Sequence, residues 1–287
     1  MKNFIYIVPG GGIFSRLLQF GILPLSEIDF DNVYLELSGF VPVTETNDEF
    51  SNQAWKFCED HVNRMQQYGI EDPYAHILDY ILVQKKDASY EHRGFLKQGT
   101  TYTKQNKIEL SPNFSKYQKV ITKLKFQPEV YNKLNSLPVT SQITNTTLGV
   151  HVRLTSMNML HGDQYQNISL DEYKRCIAHE FETGKYSNIF VASDNHESIY
   201  KLQAYFGDLI IYHDNFLRYK TETFSSFFDC LAEYDWFYQK RFWQEAMAEV
   251  MSLSRVGALI CRESNLSNMA IVLSNSMNKI IRVSKNV

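Results

Sequence analysis

The sequence predicts an α/β protein with parallel, doubly wound sheets, and three observations carry that expectation. Hydrophobic residues make up 44% and aromatic residues 14% of the 287 positions, ample for a sizeable core. Short β-branched apolar runs alternate with longer segments whose apolar residues recur at helical spacing. The first run, Phe4 to Val8, stops at Pro9 and three glycines and leads into a helical pattern. Strand, glycine turn, helix is the opening unit of a nucleotide-handling α/β domain.

Taken in order, Ile13 to Leu23 reads as a helix through Ile13, Phe14, Leu17, Leu18 and Ile22. Asn32 to Leu37 follows as a strand and Asn52 to Tyr68 as a helix. Residues 85–118, rich in Lys, Tyr, Ser, Thr and Gln, look like a connecting or acceptor-facing region. Helical segments at Gln118 to Leu124 and Pro128 to Leu137 precede a polar, loop-like stretch from Pro138 to Thr147. The alternation then restarts, with strands at Leu148–Val152, Asn188–Ala192, Leu209–Tyr212, Ala258–Cys261 and Lys279–Val283. Helices are expected between them at Leu170–Phe181, His196–Tyr205, Trp243–Ser254 and Asn265–Leu273. Two lobes are expected, 1–140 and 141–287, meeting near residue 140, each with its own α/β core.

Charge and composition narrow the function classes. The formal net charge is -3, from 29 basic and 32 acidic side chains, and no Lys/Arg run marks a nucleic-acid footprint. Phosphate recognition must therefore come from a few placed cations. Cys58, Cys176, Cys230 and Cys261 are scattered without a C-x-x-C pair, which argues against a zinc site or a disulfide framework and fits a reducing compartment. No segment reaches the roughly 18 apolar residues of a membrane helix, so no integral membrane segment is expected and a cytoplasmic location is.

Four short stretches can carry chemistry. In Gly10-Gly11-Gly12-Ile13-Phe14-Ser15-Arg16 the glycines let backbone approach a ligand, and the helix start attracts anions. A purely structural tight turn needs fewer glycines, and Arg16 can face ligand or solvent. In Gly149-Val150-His151-Val152-Arg153 the strand period puts His151 and Arg153 on one face. Long polar residues in a sheet covered on both faces need partners, and at a strand's carboxyl end those are usually ligands. The alternative is an edge strand with both residues solvated. Ser193-Asp194-Asn195 ends an apolar strand and either caps the next helix or holds a ligand. Ser264-Asn265-Leu266-Ser267 can cap the helix that begins there while its spare N–H groups bind phosphate.

The order of the glycine turn, His151-Val152-Arg153-Leu154-Thr155, Val191-Ala192-Ser193-Asp194-Asn195, Arg218-Tyr219-Lys220-Thr221-Glu222 and Ser264-x-x-Ser267-x-x-Ala270 resembles the α-1,6/α-1,2-fucosyltransferase superfamily. The likeness runs from about Phe126 to Val283 and rests N-terminally on the Gly10 to Leu17 turn. It implies a GT-B-like fold of two Rossmann-type lobes with a cleft between them, the nucleotide in the C-terminal lobe and the acceptor on the N-terminal one. It further implies that Arg153 holds a GDP diphosphate, that His151 contacts the base, and that Glu249 reads guanine. Ser264 and Ser267 would lie near the phosphates, and Asp194, Arg218 and Tyr219 match other family positions; Gly11, Gly12, Arg16 and Asn265 are further candidate substrate-binding residues.

The family's first motif usually reads H-x-R-R-x-D. Leu154 replaces its second Arg here and Ser156 its Asp, and Lys220 or Arg16 can compensate for the lost cation. The expected reaction is an inverting transfer of fucose from GDP-fucose, or another sugar from its nucleotide, to a glycan hydroxyl, with no metal or other cofactor. Arg153 would stabilise the departing diphosphate, and Asp163, ahead of His161, would serve as base. A metal-dependent rival uses Asp29-Phe30-Asp31 as a D-x-D site. A non-catalytic carbohydrate-binding rival leans on the degenerate first motif and on Tyr102, Tyr117 and the aromatic run from Tyr234 to Trp243. A dinucleotide-dependent oxidoreductase lacks its glycine fingerprint.

Overall fold

The computed structural model describes residues 3–7, 32–36, 92–94, 126–153, 168–218 and 236–283. The chain divides into two compact units, Met1–Gln127 with Asp235–Trp243, and Pro128–Tyr234 with Gln244–Val287. In the first unit, β1 (Asn3–Ile7) pairs in parallel with β2 (Asn32–Glu36) and β3 (His92–Gly94), giving the order β2-β1-β3. The sequence pattern did not show β3, which lies in the stretch read as a connection; three residues of mixed polarity carry no period. The helices expected at Ile13–Leu23, Asn52–Tyr68 and Gln118–Leu124 lie outside the described residues.

The second unit holds a five-stranded parallel sheet of β4 (Thr147–Val152), β5 (Asn188–Ser193), β6 (Ile210–Ile211), β7 (Ala258–Cys261) and β8 (Lys279–Arg282). Its order is β6-β5-β4-β7-β8. Among the described residues five helices accompany it: α1 (Pro128–Ser136), α2 (Leu170–Phe181), α3 (His196–Phe206), α4 (Trp236–Leu253, which begins in the first unit) and α5 (Asn265–Leu273). α1 precedes the boundary expected near residue 140 yet belongs to this unit, tied by Lys133 Nζ to Glu245 Oε1 at 2.9 Å and by Gln244 Nε2 to Glu129 Oε2 at 2.9 Å. A short 3₁₀ turn, Pro138–Gln142, occupies part of the stretch read as loop.

The chain runs outward from β4 through β5 to β6, then returns to the other side of β4 for β7 and β8. Right-handed crossovers therefore put the helices of the two halves on opposite faces, and the direction reverses between β4 and β7. On one face Leu148, Val150 and Val152 pack with Tyr173, Cys176 and Ile177 of α2 and with Ile199 and Leu202 of α3. Six consecutive buried residues in β4 show why this strand reads as a continuous apolar run with one imidazole in it.

Local signals set the helix starts. Ser169 and Glu172 form a reciprocal capping box on α2. Asn195 Oδ1 accepts from the Ser198 amide at 3.0 Å, so Asn195 is the cap of α3. Ser264 Oγ accepts from the Ser267 amide at 3.1 Å and caps α5. Where β7 is entered, a Cβ on Gly257 would stand 2.0 Å from the carbonyl oxygen of Asn145, so only a glycine lets these backbones approach. Gly257→Ala is expected to lower unfolding free energy by about 1–3 kcal/mol, or to move the backbone. Urea denaturation of the two proteins checks it; equal midpoints would refute the close approach.

Candidate functional site

The carboxyl ends of β4 and β7 meet at the reversal point, and His151 stands there. It pairs in register with Cys261 of β7 and Ala192 of β5, so β4 is central and the edge-strand alternative does not hold. The ring is 4% exposed, and its Nδ1 lies 2.6 Å from Ser267 Oγ and 3.4 Å from Ser264 Oγ. Ser267 Oγ also donates to the Arg262 carbonyl at 3.1 Å. With that hydroxyl's one proton committed, Nδ1–H is the donor to Ser267, which leaves Nε2 as an acceptor. Burial above all, then the charges of Arg153 and Arg282, push the imidazole down to about 3. His151 is therefore neutral, and suited to accept a hydrogen bond rather than to serve as a base at neutral pH.

Arg153 follows β4 directly and is partly exposed, while its Nε is buried with no hydrogen-bond partner among the described residues. A buried guanidinium N–H without a partner is costly and invites an anion. The Tyr173 hydroxyl is likewise buried and without a hydrogen-bond partner among the described residues. Burial raises its pKa, and the backbone of Arg153 opposes the rise. Asn265, the first residue of α5, is half-buried beside this edge. Ser264 and Ser267, expected near phosphate, spend their side chains on the cap and on His151; only their backbone is left to meet a ligand.

A second cluster forms beside the end of β5. Arg218 Nε donates to the Ser193 carbonyl at 3.0 Å, Nη1 to the His213 carbonyl at 2.7 Å, and Nη2 to Glu249 Oε1 at 2.8 Å. Its side chain is 1% exposed, so two residues expected to meet the donor meet each other instead. Burial pushes the Glu249 carboxyl up to about 7, Arg218 opposes it, and the charges of Asp194 and Glu245 add to the rise. Glu249 thus offers a ligand at most the oxygen that Arg218 leaves. Asp194 is half-buried and near enough for its charge to act on Glu249.

The structure brings together His151, Arg153, Ser264, Asn265 and Ser267 at one edge, with Asp194, Arg218 and Glu249 in the neighbouring cluster. Gly11, Gly12, Arg16, His161, Asp163, Tyr219 and Lys220 lie outside the described residues, as do Leu154, Ser156, Asp29, Asp31, Tyr102 and Tyr117. Among the described residues no group of three or more His, Cys, Asp and Glu could hold a metal ion. No described helix is long and apolar enough to cross a membrane. Sequence reasoning missed Tyr173 and Arg282, the last residue of β8. Alternation from Ile280 would have put Arg282 on the face of His151, but a strand was read there without its faces.

Fold and site together define a doubly wound α/β domain with a polar, cationic cluster at its reversal point, the place where such sheets take ligands. No known protein family and no curated protein matches the chain. Among solved structures it is similar to the NodZ α-1,6-fucosyltransferase soaked with GDP-fucose, at 13% identity and TM-score 0.45, over 95% of this chain and 92% of that one. Against NodZ co-crystallised with GDP the match covers 57% of this chain and 47% of the other, at 13% identity and TM-score 0.37, so it spans about half of that protein. POFUT1 in complex with GDP-fucose matches at 10% identity and TM-score 0.37, over 99% of this chain and 74% of that one.

The buried groups set a pH dependence. His151, and His213 lowered to about 4 mainly by burial and then by Arg218, are neutral when folded and protonate readily when unfolded. The unfolded chain then binds more protons, and stability from these rings falls as pH drops from about 6.5 toward 4. Glu249 runs the other way, since its raised pKa favours the fold at low pH and loses that contribution as pH rises through about 7. His151→Gln should therefore shrink the stability lost between pH 7 and pH 5 by about 1–2 kcal/mol relative to wild type. Denaturant titrations at the two pH values measure it, and identical losses would refute a neutral His151. Arg218→Met, which strands the buried Glu249 carboxylate, should cost about 3–5 kcal/mol at pH 8. The same titration checks this, and a change below about 1 kcal/mol would contradict a buried pair.

Proposed function

We propose that this chain is a glycosyltransferase that moves a sugar, in first place fucose, from a GDP-sugar to a glycan hydroxyl, with inversion and without a metal. The observation that carries the reading is His151 and Arg153 sharing one face at the sheet's reversal point, beside the start of α5, with a buried Arg153 N–H that meets no acceptor among the described residues. The order of sequence motifs from His151 to Ala270 supplies the nucleotide and the sugar.

In this reading Arg153 and the first N–H groups of α5 stabilise charge that builds on the departing diphosphate. The neutral ring of His151 accepts a hydrogen bond from the base or ribose, and Asp163 or His161 takes the acceptor proton. Glu249 reads guanine with its remaining oxygen, and the first unit receives the acceptor. A cytoplasmic setting belongs to the same proposal, supported by cysteines scattered without a C-x-x-C pair. Leu154 and Ser156 in the first motif favour one rival, a protein that binds glycans without catalysis.

Thermal stabilisation by GDP, ADP and UDP, with and without EDTA, tests the proposal in wild type and Arg153→Ala. GDP at a hundred times its Kd should add about 2.7 kcal/mol of stability, insensitive to EDTA and lost in the variant. Stabilisation by glycans with none by GDP would select the rival instead.

A further inference from the structure

Arg282 ends β8, and its register partner is Cys261, which in turn faces His151. Parallel pairing keeps the three on one face at one level, two strand spacings apart, so about 10 Å separates the His151 and Arg282 backbones. The Arg282 side chain is exposed but held. Its Nη1 donates to Cys261 Sγ at 3.1 Å and to the Arg262 carbonyl at 3.3 Å, and its Nη2 donates to Asn268 Oδ1 at 2.8 Å, in the first turn of α5. These contacts use three of the five guanidinium donors and leave Nε–H and one Nη2–H.

All three acceptors are uncharged. Among the described residues no carboxylate pairs with Arg282 or with Arg153; Glu263, on the connecting loop, pairs with neither. Both guanidiniums act on the ring of His151, so two cations with no carboxylate partner among the described residues lie at one strand edge, beside the start of a helix. Like charges gathered without a counter-charge repel each other, and an anion of two or more charges placed among them removes that repulsion.

We infer that Arg282 is the second cation for the diphosphate of the bound nucleotide, replacing the basic side chain that Leu154 lacks in the first motif. This role rests on the nucleoside-diphosphate reading above. Asn268 and the Arg262 carbonyl act as its brace, fixing the guanidinium across the end of β7 so that it loses little freedom when the anion arrives.

Calorimetric titration of the full chain with GDP and with guanosine tests it, in wild type, Arg282→Gln and Arg282→Lys. Glutamine keeps a donor for Asn268 and removes the charge. The expected result is a GDP Kd raised about tenfold or more, the worth of a charged hydrogen bond, with guanosine binding changed less than about twofold. Lysine should recover part of the loss. GDP binding that survives Arg282→Gln, an equal loss for guanosine, or a lysine variant no tighter than glutamine would each overturn the role of Arg282 and leave the reading above standing. Wild type that fails to bind GDP removes both.

Discussion

The carboxyl edge of the second sheet depends on keeping one imidazole neutral inside it. An ionised ring at 4% exposure would be desolvated with two guanidiniums nearby, and the fold avoids that by holding His151 neutral between serine hydroxyls. The same hydroxyls build the start of α5: Ser264 caps it, and Ser267 accepts from the ring while donating to Arg262. Locking the ring therefore locks the helix start against the end of β4.

Arg218 does comparable work for β5. Its guanidinium gathers two backbone carbonyls and the Glu249 carboxylate with almost no exposure, joining the strand end, the turn at His213 and α4. A buried pair of this kind adds little net stability, yet removing one partner strands the other charge. It defines an arrangement rather than adding affinity. Arg282 differs in that its acceptors are neutral, and no carboxylate among the described residues takes up its charge.

How much was legible in the sequence follows from which forces act locally. α2, β7 and α5 were bounded to the residue because their ends carry local chemistry: the Ser169 and Ser264 caps and a short apolar run between polar turns. β3 was not seen, since three residues gain their strand character only from pairing with β1. β6 shrank to Ile210–Ile211, the two residues that pair with Ile189 and Phe190 of β5, a stretch too short to carry a readable period. In the site, the serine cap and the shared face of His151 and Arg153 were readable from period and spacing alone. Contacts at long separation were not, and the Arg218–Glu249 pair, the Ser267–His151 bond and the reach of Arg282 to Asn268 are all of that kind.

The sequence by itself determined the α/β class of the second unit, most of its elements and the chemical types gathered near its strand ends, because periodicity, caps and turns are written within a few residues. Only the tertiary structure decided that β4 lies in the middle of the order β6-β5-β4-β7-β8, and so that its end is the reversal point. It also decided which cations pair with carboxylates among the described residues, as Arg218 does with Glu249. Strand order and charge pairing are settled by packing between segments far apart along the chain, and no local pattern encodes them.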